Sequence, residues 1–135
     1  MKKLILSALF TLETQAKTIA VPENLNEGYV ILGEDGSVVE TSHSALKEEM
    51  PLSRATQYFQ DATFVYYSED LNWSWSQMKH TQKASNSNLL HTKKYHRTTA
   101  TVGNNSHSSY ANAGHWSKAR VVGSSVYRAL AYYSY

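Results

Sequence analysis

From Tyr95 onward the chain alternates residue by residue, with His96, Thr98, Ala100 and Val102 on one side and Tyr95, Arg97, Thr99 and Thr101 on the other. A period of two belongs to a strand with one face buried, and the smaller, more apolar set predicts an inward face that places His96 beside Ala100. Gly103-Asn104-Asn105-Ser106 reads as a turn. Alternation resumes from His115 to Val122, Gly123-Ser124-Ser125 turns again, and Val126 to Tyr135 predicts a final long strand. Ten tyrosines and three tryptophans against two prolines and six glycines favour strands over a helical bundle. Strands separated by turns predict a mainly β chain, folded as a small antiparallel sandwich or barrel.

Charge divides the 135 residues into unlike halves. All eleven Asp and Glu lie at or before Asp70; with five Lys and Arg, residues 1–70 carry −6, whereas residues 71–135 hold eight Lys and Arg and no carboxylate, a charge of +8. Such asymmetry predicts a basic working module over 71–135 and an acidic accessory or pro-segment over 17–70. The first sixteen residues have the layout of a secretory signal, with Lys2-Lys3, an apolar run from Leu4 to Leu12 and small residues at Thr14 and Ala16. The run is too short to span a bilayer, which needs about 20 residues. A buried N-terminal strand or helix is the alternative. Export predicts an extracellular protein.

Within the acidic segment, Gly28–Leu32 and Ser37–Thr41 flank Gly33-Glu34-Asp35-Gly36 and predict a hairpin. Ser44 is placed to cap a short helix that Pro51 would end. Ala55 to Phe64 fits helix or strand equally. Trp73 and Trp75 share a face if they lie on a strand, as core or as a ligand-stacking platform. The polar stretch 79–88 predicts an exposed connection.

Catalysis finds little support. Cysteine is absent, which removes thiolate nucleophiles and cysteine-ligated zinc. No Gly-x-Ser-x-Gly elbow occurs, and a basic half without carboxylates has nothing to orient a base or to cleave a glycoside. His91 and His96 are five apart, so neither a strand nor a helix lets both bind one ion. No metal, cofactor or catalytic residue is expected, and the protein reads as a non-enzyme. Cations interleaved with aromatic rings instead suit an anionic polymer or a phosphate-bearing headgroup. Nucleic acid fits the same description, but a secretory signal favours the cell envelope.

On the strand from His115, Trp116, Lys118 and Arg120 form a predicted outward row, which Arg97 and Tyr95 from a neighbouring strand would extend into one ligand-binding surface. Reversing the faces would make Trp116 a plug between sheets.

The chain from about Trp73 to Tyr135 resembles the lactococcin 972 family of secreted bacteriocins. The likeness rests on Ser87-Asn88 ahead of His91, Lys94-x-His96, Ala100-Thr101-Val102 followed by Asn104-Asn105, Ala113-Gly114-x-Trp116-x-Lys118-Ala119, and Tyr132-Tyr133-x-Tyr135. The resemblance implies an antiparallel β-sandwich, often dimeric, that is exported and binds the cell-wall precursor lipid II to block septum synthesis. A secreted, non-toxic module that binds glycans or the cell surface is the alternative.

Overall fold

The computed structural model describes residues 16–47 and 61–135. Their chain forms β1 (Lys17–Val21), β2 (Glu27–Leu32), β3 (Val38–Thr41), a 3-10 turn at Ser44–Lys47, β4 (Ala62–Ser74), β5 (Lys79–His91), β6 (His96–Val102), β7 (Asn105–Ala111), β8 (Trp116–Ser124) and β9 (Ala129–Ser134). Two antiparallel sheets, ordered β1-β4-β5-β8 and β3-β2-β9-β6-β7, face each other as a sandwich. The mainly β architecture is the one the alternating sequence predicts. Except for Ala16, the expected signal segment lies outside the described residues, as do the end of the helix expected before Pro51 and most of the ambiguous stretch from Ala55.

The predicted hairpin is β2–β3, and the turn at Gly103-Asn104 joins β6 to β7, with Val102 opposite Asn105. Gly103 there has φ +61°, a conformation that side chains rarely adopt. His96 and Ala100 point inward and are buried, as the alternation of β6 requires.

Both sheets draw strands from residues 17–70, so the charge boundary at Asp70 falls inside β4. The apolar core explains why. Ile19, Val21, Val30, Leu32 and Leu46 from the acidic segment pack with Phe64, Tyr66, Leu89, Val102 and Tyr133. Phe64 lies 5.2 Å from Tyr66 and 4.8 Å from Tyr133 between ring centroids.

Toward β5, β6 and β8 the interior changes character, because the inward side chains are small or hydroxylated: Ser85, Ser87, Thr98, Ala100, Ser117 and Ala119. Ser85 Oγ donates to the Leu130 carbonyl at 2.7 Å, Thr98 Oγ1 to the Tyr132 carbonyl at 3.1 Å, and the Ser87 and Thr98 hydroxyls bond each other across the sheets. These bonds correct the reading of 79–88 as an exposed connection. The stretch is most of β5, and Lys83 to Ser87 are buried. Its serines look like loop residues in sequence, yet inward hydroxyls become strand residues once a facing backbone supplies acceptors.

The two tryptophans also differ from expectation. Asn72 has φ +53°, which breaks the pleat just before Trp73, while Trp75 sits in the β4–β5 turn. At 42 % and 79 % exposure neither is core. Their rings meet edge to face, 5.8 Å apart.

Candidate functional site

Tyr95 precedes β6 and Arg97 follows two residues on, pointing outward from its sheet. Antiparallel pairing sets Tyr110 of β7 directly opposite Arg97 and Ser134 of β9 on its other side. Tyr95 and Tyr110 stack, with centroids 6.0 Å apart and planes 16° from parallel. Arg97 lays its guanidinium 5.4 Å from the centroid of the Tyr132 ring. The phenols of Tyr110 and then Tyr132 raise its pKa further, so it stays a cation.

Tyr95, His96, Arg97, Tyr110, Ser134 and Tyr135 together line a shallow groove of about 280 Å³ that no Asp or Glu side chain enters. Arg97 and His96 each carry a buried polar atom without a partner, on opposite faces of β6. Arg97 Nε donates to nothing, and His96 Nε2 has no partner. His96 Nδ1 donates to the Lys94 carbonyl at 2.9 Å. Unused buried polar atoms cost stability unless something binds them. The groove therefore offers one charged donor and two aromatic faces.

The other expected binding residues stand elsewhere. Trp116, Lys118 and Arg120 point outward along β8, with Ser117 and Ala119 buried behind them. Trp116 is 40 % exposed, so it does not plug the sandwich. Its row belongs to the other sheet from Arg97 and Tyr95. β7 packs beside β8, where the Lys118 N–H donates to Ser109 Oγ at 3.3 Å, so the groove and the row lie on either side of that seam. The structure brings the five residues together as two groups: Tyr95 with Arg97, and Trp116 with Lys118 and Arg120. Arg120 is not a free cation. Its Nε lies 3.4 Å from Glu69 Oε1, which also accepts from Asn86 Nδ2 at 2.8 Å. Sequence position hid this pair, because Glu69 belongs to the acidic half and reaches Arg120 only through the pairing of β4, β5 and β8.

His91 and His96, dismissed as a pair on the assumption of one element, come from facing strands of opposite sheets. Among the described residues no group of three His, Asp or Glu forms a metal site.

A family profile for the lactococcin 972 bacteriocins matches residues 66–133, half of the chain, from the middle of β4 to the end of β9. The chain belongs to the lactococcin 972 bacteriocin family. No curated protein and no solved structure matches it. The family region holds Tyr95, Arg97, Tyr110 and the whole β8 row, whereas β1, β2 and β3 lie upstream of it. In this lactococcin 972 family chain the upstream strands still complete both sheets.

Sequence reasoning missed Tyr110, Ser134 and Tyr135 as groove residues. The one available signal was the pairing across Gly103-Asn104, which places Tyr110 opposite Arg97 once the turn is taken as two residues long. Lys94, whose ammonium lies 5.6 Å from the Tyr135 ring centroid, carries no comparable sequence signal.

Proposed function

We propose that this protein is a secreted antibacterial that binds lipid II through the Tyr95–Arg97–Tyr110 groove and thereby blocks septum synthesis. The observation that carries the proposal is the unpartnered Arg97 Nε in a groove that no Asp or Glu side chain enters, walled by stacked phenols. Lipid II presents a pyrophosphate and acetamido sugars. Arg97 suits a phosphate oxygen, and the tyrosine faces suit the apolar side of a sugar ring. Lys118 across the seam would add a second cation, while Arg120 contributes less because Glu69 already holds it. Family membership and the cationic, apolar N-terminal layout support export. No described helix is long and apolar enough to cross a membrane.

Binding of the full chain to vesicles with and without lipid II tests the reading. Arg97→Lys and Tyr110→Ala should each weaken lipid II binding at least about tenfold, the worth of one charge-assisted contact. Equal affinity in both variants would remove the groove from the mechanism. Binding without inhibition of Gram-positive growth would favour a non-toxic surface-binding module.

A further inference from the structure

At the opposite end of β5 from His91, a second recess opens between the β2–β3 turn, the β4–β5 hairpin and the β8–β9 turn. It has two contiguous parts of about 380 and 550 Å³, which share Glu34, Lys83, Ser125 and Val126. These volumes fall in the range of small-molecule sites, about 300–1,000 Å³. The rim is fixed by the backbone: Ser125 donates from its N–H to the Thr81 carbonyl at 3.0 Å and from Oγ to the His80 carbonyl at 2.8 Å.

Lys83 sits where the two parts meet. Its side chain is inward on β5, in line with Ser85 and Ser87, and the residue is only 5 % exposed. Asp70 is directly opposite in register, yet among the described residues Lys83 makes no ion pair and no hydrogen bond. Its apolar stem is covered while its ammonium opens on the recess without a protein partner, the usual arrangement of a long cation on a buried stem. The same recess holds a second unused atom, His80 Nδ1, which is buried and has no partner. The Trp73 indole stands edge to face with His80, 5.0 Å away, and gives the recess an aromatic wall.

Charge chooses the class of ligand. Glu34, Asp35 and Asp70 line the recess along with Lys79, Lys83 and Arg128, so it is balanced overall while the cation shared by its two parts is unpaired. A simple anion would gain at Lys83 but meet three carboxylates. A cation would meet the reverse. A molecule carrying both charges a few ångströms apart satisfies the two sets together.

We infer that the recess around Lys83 is a second binding site, separate from the groove, that takes a zwitterionic α-amino acid or short peptide. The ligand carboxylate pairs with Lys83 and its ammonium lies toward Asp70 and Glu34. The His80 ring nitrogen bonds a ligand polar group, and the apolar side chain rests on Trp73.

The test is a titration of the full-length protein, followed by its amide and indole nuclear magnetic resonance signals, with L-leucine, N-acetyl-L-leucine and L-leucinamide. Leucine should shift the Trp73 indole and the amides of His80, Lys83 and Ser125, and each blocked form, lacking one charge, should bind at least about tenfold more weakly. Lys83→Met, which keeps the buried stem, should abolish the shifts, whereas Arg97→Lys should leave them intact. Should Lys83→Met fail to fold, Asp70→Asn is expected to weaken leucine to the level of N-acetyl-leucine. No shift with leucine into the millimolar range, or equal binding of leucine and either blocked form, would overturn the inference. Either result leaves the lipid II groove untouched.

Discussion

The His91 and His96 rings lie 6.4 Å apart between centroids, one carried by each sheet, with the Tyr135 ring 4.4 Å from His91. His91 Nδ1 accepts the backbone N–H groups of Lys93 and Lys94, both at 3.0 Å, which ties the β5–β6 connection to the sandwich. A proton on that nitrogen would break both bonds.

His91 makes stability depend on pH. Burial lowers the His91 pKa; Asp61 opposes the shift, while His96, Lys94 and Lys93 add to it. The folded value therefore lies below the ordinary 6.5. Between the two values the unfolded chain binds a proton that the folded chain does not, so stability is complete above 6.5 and is lost as pH falls through this window. Melting temperatures recorded across that range should fall on acidification, and His91→Gln should flatten the trend. An unchanged slope in the variant would assign the effect to other groups.

Gly123 of β8 packs directly against Val102 of β6 in the facing sheet. A Cβ there would stand 2.6 Å from Val102 Cγ1 and 3.0 Å from the Val102 carbonyl oxygen, which is backbone and cannot swing aside. Gly123→Ala should destabilise the chain by about 1–3 kcal/mol, as overpacking does, and urea unfolding measures it. A neutral result would mean that β6 and β8 part easily.

The acidic segment should prove necessary for folding. Residues 71–135 alone lack β1, β2, β3 and most of β4, and with them Ile19, Val21, Val30, Leu32, Leu46 and Phe64. Truncating Phe64 to Ala by itself should cost about 3–5 kcal/mol, a large share of the ~5–15 kcal/mol that holds a domain folded. The isolated 71–135 fragment is expected to give collapsed, poorly dispersed resonance spectra. A well-dispersed spectrum would show that the hydroxyl-rich half of the interior suffices.

On the β8 row, substitutions should act on binding more than on stability. Lys118→Ala and Trp116→Ala remove exposed side chains, and each should change stability by less than about 1 kcal/mol. Glu69→Gln breaks a half-exposed ion pair with Arg120, the kind worth about 0–1 kcal/mol, and frees a cation beside Lys118. Affinity for lipid II vesicles should then rise at low salt and return toward the parent value at high salt. A loss of affinity would give Glu69 a direct part in binding.

Sequence alone determined much of this protein: alternation set which face of β6 turns inward and put Trp116, Lys118 and Arg120 on one face of β8, and turn residues marked the hairpins at Gly33–Gly36 and Gly103-Asn104, while only the structure decided that the Trp116 face is the outer one. Side-chain period is a local property of a strand, so it is legible in one dimension. What surrounds each face is not. Whether the serines of β5 lie in a loop or between sheets depended on the Leu130 and Tyr132 carbonyls, 45 residues away in each case. Glu69 reaching Arg120, His91 facing His96 and Lys83 left unpaired are likewise products of strand order, which sets partners far apart in the chain. The charge boundary at Asp70 lies within β4, and the core draws residues from both sides of it, because apolar burial takes its residues from wherever the sheets bring them.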